Sequence, residues 1–195
     1  MLQLPESKLM LEKLKNDLAP DLFYHSLDHT LDVYAAAKSL AAQENLSDSE
    51  TKLLLVAVIY HDAGYLQQRE NHEQLSCDIV RSTFPRFDYS PEDIEKICSI
   101  IMATKLPQQP RSLSEQIICD ADLDYLGRDD FFETGNLLYL ELHAAGRMAD
   151  TTAWNVLQID FLRQHRYFTA TAQSLREPKK QEHLKQLLSH NTAQQ

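Results

Sequence analysis

The chain has 195 residues, 43% hydrophobic and 25% charged, ordinary proportions for a globular protein with one sizeable domain or two small ones. A net charge of -10 opposes binding to long nucleic acid, which depends on phosphate neutralisation, but not a small phosphorylated substrate held through a bound cation. No apolar stretch approaches the roughly 18 to 20 residues that span a bilayer. The first residues also lack a basic start followed by an apolar core, so no membrane association and a cytoplasmic location are expected.

Residues 7–19 read as a short amphipathic helix stopped by Pro20. The stretch Tyr24-His25-Ser26-Leu27-Asp28-His29 then runs into a helical pattern over Thr30 to Asn45. His25 and His29 share a face if both are helical; if the helix starts later, His25 lies on the loop leading in. Ser47-Asp48-Ser49-Glu50 is a capping box, so a helix starts there and runs towards Tyr60. Leu53 to Ile59 is apolar on every side, which fits a surrounded central helix, with a buried strand as the alternative. That run ends in Tyr60-His61-Asp62-Ala63-Gly64, two ligand-type side chains delivered side by side.

Gln67 to Asn71 reads as a polar loop, and His72 to Phe84 as a helix broken by Pro85. Ser90-Pro91-Glu92-Asp93 starts a helix that runs to about Thr104: a capping serine, proline in the first turn, then acids at the positive end of the dipole. Pro107 and Pro110 mark a loop, and Ser112 to Glu115 caps the next helix. Further helices are expected over Asp129 to Ala145, over Ala149 to His165 with Trp154 in the core, and over Lys179 to Ser189 behind Pro178. Asn191 to Gln195 are expected to be disordered.

The fold class is therefore all-α, a single domain spanning 1–195. A site-bearing core covers about 22–130, and a C-terminal helical extension about 131–190. The four glycines are too scattered for a phosphate-cradling loop, which removes P-loop and dinucleotide fingerprints. Cys77, Cys98 and Cys119 are odd in number, with no CxxC pair, and read as buried free thiols.

His29, His61, Asp62 and Asp122 are the candidate metal ligands. Neutral imidazoles with carboxylates suit a divalent cation that accepts nitrogen and oxygen, such as Mn, Fe, Co, Ni, Zn or Mg. No local spacing rule links positions so far apart. On chemistry alone, helix-satisfied histidines and capping aspartates are the better account of them.

Tyr24 to His29 followed by Asp32-Val33, then Tyr60-His61-Asp62-Ala63-Gly64, then Asp120-Ala121-Asp122-Leu123-Asp124-Tyr125-Leu126-Gly127, resembles the HD-domain superfamily of metal-dependent phosphohydrolases. The resemblance implies a helical bundle in which His29, His61, Asp62 and Asp122 hold one divalent metal ion. The Tyr-His-x-x-x-His-x-x-Asp-Val stretch is also similar to the metal-site segment of cyclic-nucleotide phosphodiesterases, which makes His25 a catalytic proton donor. Asp62, through its second oxygen, is the catalytic proton acceptor.

The implied activity is hydrolysis of a small phosphate ester, a nucleotide or phosphomonoester, by water activated on the metal. The alternative is a non-catalytic metal- or nucleotide-binding module. Ser26 stands where the phosphodiesterases carry Asn, and Met102-Ala103-Thr104-Lys105 lacks a histidine of the dinuclear subfamilies. This favours one metal, with His72 as the residue to serve a second; an oxygen-activating centre on this scaffold needs two.

His72, Glu73, Lys105 and Arg128 are the candidate substrate-binding residues. Asp120 is a candidate orienting partner or a plain cap. Glu141, His143 and Arg147 on one helix, and His165 to Tyr167 on another, are candidates to close the pocket.

Overall fold

In a computed structural model, residues 1–193 are described, with side chains to 189; residues 191–193, expected to be disordered, continue the last helix, and 194–195 lie outside the described residues. The helices are α1 (Pro5–Asp17), α2 (Leu27–Gln43), α3 (Asp48–Tyr60), α4 (His72–Thr83), α5 (Pro91–Met102), α6 (Leu113–Asp122), α7 (Phe131–Ala144), α8 (Thr151–Gln164) and α9 (Ala170–Ala193). Short 3-10 turns cover Ala63–Leu66, Phe84–Phe87 and Asp124–Gly127, and there is no strand among the described residues. None of these helices is long and apolar enough to cross a membrane.

The all-round apolar run is the axis of the bundle. Leu54 through Tyr60 are buried without interruption, at most 2% exposed, with α1, α2, α5 and α6 packed around them. Burying a helix on every side leaves its backbone nothing but its own hydrogen bonds and its caps. Ser47 supplies the first cap by accepting from the Glu50 N–H, while Glu50 accepts a short hydrogen bond from the Ser47 hydroxyl. Ser90 and Ser112 accept in the same way from Asp93 and Glu115. The three cysteines are buried and unbridged, and the Cys77 thiol donates to the Cys98 carbonyl at 3.4 Å.

Several boundaries differ from those expected, three of them for a clear local or distant reason. Helix α1 opens at Pro5, a residue whose missing N–H costs nothing in a first turn. Helix α2 opens at Leu27, three residues early, because the Ser26 hydroxyl accepts from the His29 N–H. Helix α9 opens at Ala170, nine residues before Lys179, with Pro178 inside it rather than ahead of it.

That start is fixed from a distance. Asp120, fully buried on α6, accepts from the N–H groups of Phe168 (2.7 Å) and Thr169 (2.8 Å) and from the Thr169 hydroxyl (2.7 Å). The Thr169 oxygen then accepts from the Ala172 N–H. Asp120 is thus the anchor of the C-terminal helix and not a partner of a ligand histidine.

Two further contacts tie α9 to the turn that follows α6. Arg176 forks onto Asp124 at 2.7 and 3.1 Å, and a Cβ on Gly127 would stand 2.3 Å from the Arg176 carbonyl oxygen. The extension therefore clasps the segment that carries Asp122 rather than adding bulk at the far end.

Candidate metal centre

Each ligand sits where a helix begins or ends. His29 lies in the first turn of α2, His61 and Asp62 follow the last residue of α3, and Asp122 ends α6. Adjacent residues inside a helix point about 100° apart. Here the chain leaves helical geometry at Asp62 (φ -102°, ψ 9°), and the two neighbouring side chains reach the same point. His61 Nδ1–H donates to the Val58 carbonyl at 2.7 Å, which turns Nε2 inward.

His29 Nε2 stands 3.2 Å from Asp122 Oδ1 and 3.5 Å from Asp62 Oδ2. His61 Nε2 stands 3.2 Å from Asp62 Oδ2 and 3.6 Å from Asp122 Oδ1. Donors around one cation at about 2.0 to 2.2 Å are separated by distances of this size. The ligand atoms of His29, His61 and Asp122 all lie within 4.8 Å of one another, and Asp62 Oδ2 stands beside both imidazoles.

His29 Nε2, His61 Nε2 and Asp62 Oδ2 are all buried without a hydrogen-bond partner. Buried polar atoms left unpaired are costly, and three of them converging on one point is the pattern a cation relieves. The residues present fit a divalent metal ion.

The electrostatics agree. Burial alone would push the Asp122 carboxyl up and the His61 imidazole down. The neighbouring imidazoles instead hold Asp122 and Asp62 below the usual carboxylate range, and Asp62 and then Asp122 raise His61 to about 9. The carboxylates thus favour positive charge at this point, which a metal ion would supply.

His25 lies outside α2, on the loop leading in. Its Nδ1–H donates to Glu141 Oε1 at 2.6 Å, while the other Glu141 oxygen accepts the N–H groups of Tyr24 (2.9 Å) and His25 (3.0 Å). Burial disfavours the charged ring, but this hydrogen bond and the Asp62 charge outweigh it, so the His25 pKa is raised. Its Nε2 points into the site 3.1 Å from the Tyr65 hydroxyl, and the two rings stack with centroids 4.2 Å apart.

Glu141 is 2% exposed and comes from α7, in the expected extension. The sequence offered one signal for its role, a carboxylate on the apolar stripe formed with Leu138, Leu142 and Ala145. Tyr65, three residues beyond Asp62, carried no such signal.

The other expected site residues divide. His72 and Glu73 open α4 beside the centre: His72 Nε2 is 3.5 Å from Asp62 Oδ1 and 3.7 Å from Glu73 Oε1. Lys105 is exposed and lines the same cavity. Arg128 does not. Its guanidinium is held by Asp32 and Asp130 at 2.8 Å and by Asp124 at 3.5 Å, so the phosphate contact expected of it is dropped.

The Thr104 hydroxyl donates to the Ile101 carbonyl at the end of α5, while the residue itself lines the cavity. Arg147 lines the cavity and pairs with Glu70, whereas His143 is exposed and bonded to the Met148 carbonyl. His165 packs against Lys180, away from the site.

The cavity measures about 510 Å³ and is bounded on its far side by α7 and α8. Trp154 is buried, as expected, and also forms part of that wall.

A helical bundle holding a His-Asp centre of this kind defines the class of the protein. Residues 26–124, just over half the chain, match the HD domain, and the chain belongs to that family. Two solved structures share the fold across essentially the whole length. One is a predicted HD superfamily hydrolase from an uncultured Thermotogales bacterium: TM-score 0.63, 18% identity, 97% of this chain and 95% of that one. The other is a Lactobacillus plantarum protein: TM-score 0.69, 17% identity, 99% of this chain and 100% of that one. No curated protein matches the sequence.

Proposed function

We propose that the protein is a metal-dependent phosphohydrolase that cleaves a small phosphate ester. The observation that carries the reading is the convergence of three buried, unpartnered atoms, His29 Nε2, His61 Nε2 and Asp62 Oδ2, beside the Asp122 carboxylate. His29, His61, Asp62 and Asp122 would hold one divalent cation, which when bound supplies an acidified water and a Lewis acid for a phosphoryl oxygen.

The chain supplies the rest. Asp62 Oδ1, the carboxylate oxygen nearer His72, accepts the proton of the attacking water. Protonated His25, held at Nδ1 by Glu141, gives its Nε2 proton to the departing alcohol oxygen as the phosphorus–oxygen bond breaks. Lys105 at the cavity wall attracts the phosphate. Products are the free alcohol and inorganic phosphate, with no covalent enzyme intermediate. The Thermotogales relative is described as a predicted hydrolase, which agrees with this reading.

The test is a screen of purified protein with Mn, Co, Zn or Mg against aryl phosphates and nucleotides. Metal-dependent release of phosphate is the expected result, and absence of turnover with every metal would leave a binding module. In the same assay Glu141→Gln should retain metal but lose roughly 10- to 100-fold in kcat. With its carboxylate partner gone, the His25 pKa falls. Loss of the proton donor as pH rises then sets in at lower pH than in the wild type. A metal-free Glu141→Gln protein, or an unmoved alkaline limb, would contradict the positioning role.

A further inference from the structure

The cavity joins two ends of opposite chemistry. Asp62, Asp122, His25, His72 and Lys105 bound one end, and Leu138, Leu142, Trp154, Leu157, Phe161 and Leu162 the other. The second set comes from facing stripes: Leu138 and Leu142 lie one turn apart on α7, and Trp154, Leu157 and Phe161 are spaced three and four on α8. The two helices meet where Trp154 packs beside Gly135 and the Tyr139 ring (centroids 6.1 Å apart), and residues of both stripes line the cavity. Leu157 is 45% exposed although it belongs to this wall. A leucine surface left facing water at the end of a site is stabilised by whatever apolar group covers it.

We infer that the ligand is a phosphate monoester of an apolar alcohol, its alkyl or aryl body lying between α7 and α8 while its phosphate sits at the metal centre. The inference rests on the hydrolase reading for the headgroup and on the cavity for the body. A nucleoside body fits poorly, because its hydroxyl and amide groups would lie against leucine. Each polar group buried without a partner weakens binding by roughly five- to a hundredfold. Gln158 Oε1, buried in this wall without a partner, is a single acceptor set against the six apolar side chains.

Trp154 is the chain's single tryptophan and stands in the wall, so its fluorescence reports occupancy. The full-length protein with Mg is titrated with methyl-, butyl-, hexyl- and octylphosphonate, which cannot be hydrolysed, and with AMP. The expected result is a shift of Trp154 emission and a Kd that falls about three- to fourfold per added methylene. Leu157→Gln, at a half-exposed position that tolerates a polar residue, should weaken octylphosphonate about tenfold and methylphosphonate far less.

A Kd independent of chain length, or AMP binding tighter than octylphosphonate, would overturn the inference. So would Leu157→Gln splitting a dimer while leaving octylphosphonate affinity intact, since the wall would then be an interface between copies. Turnover of octyl phosphate separates the two readings. Tight octylphosphonate binding with no turnover under any metal contradicts the hydrolase and keeps the ligand class. Turnover of phosphate esters with no chain-length dependence contradicts the ligand class alone.

Discussion

Replacing His61 and Asp62 together by alanine is expected to strip the metal and lower kcat/KM by roughly a thousandfold or more. Withdrawing the cation's charge from a phosphoryl transition state removes several kcal/mol, and each 1.36 kcal/mol is a factor of ten. The pair follows the central helix α3 and is nearly fully buried, so the change also removes two of the three buried atoms left without partners. The fold should survive: the change breaks the His61 hydrogen bond to the Val58 carbonyl, but it also dismantles an unsatisfied buried cluster. Metal content by elemental analysis, steady-state kinetics and circular dichroism on one preparation check the three parts. Full activity in a folded, metal-free variant would refute the assignment of the centre.

Gly64→Ala is expected to destabilise the protein by about 3 kcal/mol, lowering Tm by about 6 to 12 °C. A Cβ at position 64 would stand 2.1 Å from the His72 carbonyl oxygen, a backbone atom that has no rotamer to retreat into. The close approach is what brings the start of α4 against the turn after Asp62. Two hydrogen bonds hold it: the Gly64 N–H donates to Ser76 Oγ at 2.8 Å, and the Ser76 hydroxyl donates to the His61 carbonyl at 2.7 Å. Forcing α4 outward moves His72 from Asp62 as well, so activity should fall along with stability. Thermal unfolding followed by circular dichroism measures the first, and a Tm within about 2 °C of wild type would show that the approach is not needed.

How much of this was legible in the sequence depends on how far each determinant reaches. Helix starts set by a serine and the residue three further on, at Ser47, Ser90 and Ser112, are local and were readable. So was the central helix, because no surface accepts a run apolar on all sides. The start of α9 was not, since its cap is Asp120, 49 residues upstream, and Pro178 gave a strong but misleading local signal.

The same limit applies in the site. His29, His61, Asp62 and Asp122 were named from residue type and family resemblance, and the fold brings them to one point. The Glu141 partnership with His25 spans 116 residues and is invisible to any window along the chain. Arg128 was misplaced for a related reason: from sequence it was a free cation near Asp122, and only the fold shows three carboxylates claiming it. Trp154 was expected in the core and is buried there, and the fold also makes it part of the cavity wall, which its size and apolarity alone did not show.

The centre itself is tested most directly by crystals grown with Mn and measured for anomalous scattering. One anomalous peak per chain, about 2.0 to 2.3 Å from His29 Nε2, His61 Nε2 and carboxylate oxygens of Asp62 and Asp122, is the expected result. A chain that binds Mn elsewhere, or that leaves those two imidazole nitrogens without a shared ion at saturating metal, would contradict it.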